Sequence, residues 1–188
     1  MVQQQMEPPD TQCRTLALYA GTILGFTVVV LIFAAVIGAH RAYRLMPLGT
    51  PIPDEGRTHV TAFSSFTNQY YPPFSGPHYA DALKPGVYLT PVSGGSYVHN
   101  LEHGYIVVLF KRTIDNGLLA AQQLQDLPTR FPTAKYGSVK LIVAPYDDMP
   151  YPVVALAWDR ELPLMVADQR TLVRFYRQYV DHGPEDAP

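Results

Sequence analysis

The segment Val98-His99-Asn100-Leu101-Glu102-His103-Gly104 carries two histidines four positions apart, with a glutamate beside the second. His59, His78, His99 and His103, four of the six histidines, fall within one short part of the chain. Neutral imidazole is the commonest protein ligand for transition metals, and an ion needs several such ligands converging. On a helical turn an i, i+4 pair points one way, so His99 and His103 can begin a metal site that His59 and His78 complete. Glu102 then orients a ligand imidazole by accepting its second N–H. A set of imidazoles without thiolate suits copper(II), zinc or iron, whereas magnesium and calcium prefer oxygen. Outside the cytoplasm the expectation narrows to a copper or zinc ion. Met149, in the turn Tyr146-Asp147-Asp148-Met149-Pro150, offers a thioether as an extra ligand favouring copper. The plainer reading of Met149 is a surface or packing methionine.

Two other readings stand beside metal binding. The histidines can form a structural hydrogen-bond network, an ordinary state for core imidazoles. Alternatively, His99-Asn100-Leu101-Glu102-His103 matches H-x-x-E-H, the inverted zinc-peptidase motif, in which two histidines hold zinc and glutamate activates water. That chemistry needs helical context. Gly94-Gly95 precede the motif and Gly104 closes it, leaving one or two turns, so zinc hydrolysis ranks below binding. No Ser-His-Asp grouping stands out, and Ser75 reads as a local hydrogen bonder in a proline-rich turn. Gly94-Gly95-Ser96 lacks the length and the lysine of a phosphate loop.

The 188 residues include only 14 basic and 16 acidic side chains, 16% of the chain against about 25% in average soluble proteins. No basic stripe exists, which excludes a nucleic-acid footprint. The single cysteine, Cys13, rules out a disulfide within the chain and thiolate metal sites in the domain. Leu16–Ala39 is an uncharged apolar run of 24 residues, enough helix for a hydrocarbon core of about 30 Å. A cleaved signal peptide has a shorter apolar core, usually about 7–15 residues, and its leader would not carry Glu7 and Asp10. The expectation is an uncleaved transmembrane anchor contacting the lipid bilayer. Arg41, Arg44 and Arg57 on the far side lean weakly toward a cytoplasmic domain by the positive-inside rule.

These elements predict an N-terminal tail (1–15), the anchor (16–39), a proline-rich spacer (40–57), a globular domain (58–183) and a short tail (184–188). Within the domain, Thr58–Phe66, Gly86–Thr90, Tyr105–Phe110, Val139–Ala144 and Val153–Trp158 read as strands. The run Tyr70-Tyr71-Pro72-Pro73-Phe74-Ser75-Gly76-Pro77-His78 excludes helix interior and central strand. Thr113–Leu127 reads as a helix. A second helix over Val166–Val180 has the stripe Leu172, Phe175, Tyr176, Tyr179 and a cap at Asp168. The fold class is α+β, a mixed sheet covered by two helices. A domain that holds eleven of the thirteen tyrosines also suits docking, as an accessory subunit of a larger membrane complex.

The Tyr70–His78 run, followed by Gly86-Val87-Tyr88 and His99-Asn100-Leu101-Glu102-His103-Gly104, resembles the bacterial membrane-anchored family catalogued as domain of unknown function 3105. The resemblance covers roughly residues 57–183 and includes Gly183-Pro184-Glu185. It implies a bacterial protein with one membrane span and an extracytoplasmic domain. It carries His59, His78, His99, His103 and Glu102 over as motif residues.

Overall fold

The computed structural model describes residues 10–61, 64–113 and 124–188. The chain divides into two units, one up to Met46 and one from Pro47 onward. The first is a helix, α1 (Asp10–Leu45). Its section Leu18–Tyr43 is, among the described residues, the one helix long and apolar enough to cross a membrane. Those 26 residues rise about 39 Å, more than a hydrocarbon core of about 30 Å requires. Leu24, Phe26, Leu31 and Phe33 all stand exposed along it.

The second unit is α+β. A mixed six-stranded sheet has the order β1 (Thr50–Pro51), β8 (Arg160–Leu164), β7 (Val153–Ala157), β5 (Ile106–Phe110), β6 (Leu141–Pro145) and β4 (Gly86–Val87). A separate pair is made by β2 (His59–Val60) and β3 (His78–Tyr79). Among the described residues its helices are α2 (Gly94–Glu102) and α3 (Gln169–Tyr179), with a 3-10 turn at Leu127–Arg130. β5 runs parallel to β6 and antiparallel to β7. All three strands are buried throughout, as continuous β-branched and apolar runs require.

Alternate side chains of these strands feed two cores on opposite sheet faces. Ile106, Val108, Phe110, Leu141, Val143, Val153 and Ala155 pack with Leu172, Phe175 and Tyr176 of α3. Val107, Leu109, Ile142, Ala144, Val154 and Leu156 pack with Tyr97, Val98 and Leu101 of α2. α3 begins where expected, because the Asp168 side chain accepts from the Thr171 amide.

Several expectations change. Of the strand expected over Thr58–Phe66, the described residues form β2, which pairs with the two residues of β3. β8 has no counterpart in the sequence reading. Arg160-Glu161-Leu162-Pro163-Leu164 is half-buried at every position and so shows no alternation. It is reached from β7 by a tight turn in which Asp159 takes φ 55°. The helix expected over Thr113–Leu127 falls largely on residues 114–123, outside the described residues. The stretch read as a spacer is fixed to the domain from Pro47 onward. Thr50 and Pro51 pair with β8, the Leu48 amide donates to Gln178, and the Glu55 carboxylate accepts from the Gln69 and Tyr70 amides.

Candidate metal centre

Three separate stretches deliver four polar side chains to one point. β2 and β3 pair in parallel with His59 opposite His78. Their rings meet edge to face, 4.7 Å between centroids. α2 supplies His99 and Glu102, three positions apart and therefore on one face. The His99 ring lies 5.0 Å from that of His59 and 5.4 Å from that of His78. Glu102 Oε2 is 3.0 Å from His78 Nε2, 3.2 Å from His59 Nε2 and 3.9 Å from His99 Nδ1. One ligand atom from each of the four lies within 4.8 Å of all the others. Donor atoms on a tetrahedral ion with bonds of about 2.0–2.1 Å are roughly 3.3 Å apart, and the three carboxylate–imidazole distances of 3.0, 3.2 and 3.9 Å bracket that spacing.

Close packing of α2 makes this convergence. A Cβ on Gly95 would sit 2.6 Å from Phe66 Cζ and 2.9 Å from Tyr79 Cε2, and one on Gly94 2.5 Å from Pro73 Cγ. The glycine pair, read from sequence as lying ahead of a very short helix, is instead the first turn of a nine-residue one. It lets the helix approach the loop that ends at His78. Asn100 fastens the other side, its amide side chain exchanging two hydrogen bonds with the Leu83 backbone.

Hydrogen bonding restricts the protonation states. His78 is fully buried, and its Nδ1 lies 2.7 Å from the Gly76 carbonyl oxygen. A carbonyl only accepts, so Nδ1 carries the hydrogen and the neutral ring has a bare Nε2. That lone pair faces the Glu102 carboxylate, which is also only an acceptor. Two acceptors at 3.0 Å repel unless a proton or a metal ion lies with them. His99 Nδ1 is buried and without a hydrogen-bond partner. Burial, then the nearby imidazoles of His103, His78 and His59, lowers the His99 pKa against the opposing pull of Glu102, so the ring stays neutral. Burial raises the Glu102 pKa, but a proton carried by His59 or His78 beside it, as hydrogen bond and as charge, outweighs burial and holds the carboxyl below its ordinary value. The pocket therefore favours a positive charge at this point.

The remaining candidates stand outside this group of four. His103 caps the C-terminal end of α2, its ring 4.5 Å from that of His99. Its Nε2 turns toward Glu185 Oε2 at 3.6 Å. Met149 is buried in the core beneath α2, where it packs against apolar side chains. His40 lies on α1, and His182 is exposed beyond α3. As for the H-x-x-E-H pattern, Glu102 stands at hydrogen-bond distance from two imidazoles. That is the position of a ligand or counter-ion.

Sequence reasoning did not single out Glu185, Gly183 or Lys140 for the site. The signal for the first two was the Gly183-Pro184-Glu185 run, and nothing in the spacing marked Lys140. A Cβ on Gly183 would fall 2.2 Å from the Glu102 carbonyl oxygen and 2.3 Å from the Gly104 nitrogen, so only glycine fits. The Glu185 amide donates to the Glu102 carbonyl and the Asp181 amide to that of Gly104. The buried Lys140 ammonium donates to the His103 and Ala187 carbonyls and pairs with Asp181.

A family model, described as protein of unknown function DUF3105, matches residues 59–188, a range that holds every residue of the cluster. No curated protein and no solved structure matches the chain.

Proposed function

The chain belongs to the DUF3105 family, and from its site we propose a membrane-anchored protein whose globular domain binds one zinc or copper(II) ion outside the cytoplasm. His59, His78, His99 and Glu102 hold the ion. The observation that carries this reading is His78. Its Nδ1 is committed to a backbone carbonyl, which leaves Nε2 aimed at a carboxylate oxygen. A backbone carbonyl on the far nitrogen is the usual support of a metal-bound histidine. An ion beside Glu102 Oε2 turns a repulsive contact into a bonded one and also gives His99 Nδ1 a partner. Three nitrogens and one oxygen form a borderline set that suits zinc and copper(II). Met149, held in the core, plays no part.

Metal analysis of the detergent-extracted full chain, purified without a polyhistidine tag, tests the proposal. At least one zinc or copper ion per chain should resist dialysis, and His78→Ala or His99→Ala should each abolish that tight binding. Wild-type protein that takes up neither ion saturably overturns it. His78 and Glu102 would then be a buried imidazolium–carboxylate pair.

The apolar section of α1 supports retention in the membrane, and the absence of cysteine beyond Cys13 suits an oxidising compartment. Protease added to intact spheroplasts should remove the domain. Full protection would place it in the cytoplasm.

A further inference from the structure

A second group of potential ligands adjoins the first. Glu102, His103 and Glu185 each place one ligand atom within 4.8 Å of the other two. We propose that Glu102 is shared, and that His103 and Glu185 complete a second divalent-cation site, making a carboxylate-bridged two-metal centre. This rests on the first site proposed above.

Three independent features favour a built site over a chance meeting of surface charges. The Glu102 carboxylate common to both groups is buried, and so cannot be satisfied by bulk water. Adjacent ligands belong to one helical turn: the His99 and His103 rings are neighbours on α2, one turning to each group. Glu185 arrives by backbone docking that tolerates no side chain at Gly183 and uses a positive φ of 77° at Gly104. Its own amide is bonded to the Glu102 carbonyl, so the backbones that carry the two glutamates are held together. Lys140 holds the same segment through Ala187 and Asp181.

The two sites differ in character. The first has three imidazoles, two of them buried, and one buried carboxylate. The second has one imidazole and two carboxylates, with Glu185 half-exposed. It therefore has a harder ligand set and an open side facing water, the arrangement that admits water or a small anionic ligand. Two-metal centres of this kind hold their ions about 3.5–4 Å apart. The second ion should bind more weakly and exchange faster.

Zinc titration of the metal-free, detergent-extracted full chain distinguishes the outcomes, with bound zinc counted after each addition. Wild type should take up two ions per chain, the second at least tenfold more weakly. Glu185→Gln and His103→Ala should each reduce saturation to one ion and leave the first affinity within a few-fold. The Glu185 backbone, not its side chain, anchors the segment, so Glu185→Gln keeps the docking and its retained first ion reports an intact fold. Glu102→Gln should weaken both. Saturation of wild type at one ion overturns the second site and leaves the first standing. Two ions in Glu185→Gln and His103→Ala also overturn it. Uptake of none removes both.

Discussion

Proton competition sets how the cluster responds to pH, and one of its histidines and an aspartate outside it respond in opposite senses. Burial and neighbouring imidazoles hold His99 below the ordinary histidine pKa, so its ring is a ready ligand throughout the neutral range. Zinc affinity is expected to be level near neutrality and to fall below about pH 6.5, where imidazoles take up protons. Competition titrations between about pH 8 and 5 check this, and an affinity independent of pH would remove the imidazoles from the ligand set. In the metal-free protein a lowered folded pKa means that the unfolded chain binds the proton more readily. The stability contributed by His99 is therefore full above its unfolded value and is lost as pH falls toward its folded one. Asp159 has the opposite sign. Burial, reinforced by Asp54, raises its pKa from 3.8 to about 6. Its ionisation opposes folding above pH 6, and that cost is relieved as pH falls from there toward 3.8. Asp159→Asn is expected to raise the melting temperature at about pH 7.5 and to change it little near pH 4. Asparagine accepts the left-handed backbone that Asp159 adopts at φ 55°. Identical melting of both proteins at both pH values would contradict the assignment.

Among the elements, α2 decides whether a site exists, because it brings His99 and Glu102 against the loop that carries His78. Gly95→Ala places a methyl group against the rings of Phe66 and Tyr79 and must push the helix from β3. Overpacking of this kind costs about 1–3 kcal/mol. The expected result is a melting temperature several degrees lower and a weaker ion affinity, measured on the same preparation. Loss of stability with affinity intact would show that the helix and β3 move together. This helix was also the hardest element to read from sequence. It opens with two glycines, which disfavour helix, and it is buried on nearly every side, so no polar face marks its period. β5, β6 and β7 were legible for the reverse reason, since burial of both faces leaves an unbroken apolar run. α3 was legible through its one-sided stripe. The histidines and Glu102 could be named from their spacing. Which of them meet at one point depends on the pairing of β2 with β3 and the close approach of α2 to them, and spacing carries no record of that.

For the molecule as a whole, an ion that binds only the folded domain stabilises it in proportion to the logarithm of its concentration, by about 4 kcal/mol at a thousandfold excess over its dissociation constant. The β2–β3 ladder makes that gain uneven across the structure. It is two residues long on each side and separate from the six-stranded sheet. A ladder so short cannot persist by its own pairing. Beside it, the His78 amide donates to the Thr58 carbonyl and the Gly76 amide to that of Gly56. If the ion ties His59 and His78 to α2, it acts as a latch on this flap. Amide hydrogen exchange at Gly76 and His78 should then slow by an order of magnitude or more when zinc is added. Exchange at Val108 and Val143, deep in the main sheet, should follow only the smaller change in global unfolding. Such a latch would make the flap a reporter of metal supply, shut when the ion is plentiful and open to proteases when it is scarce.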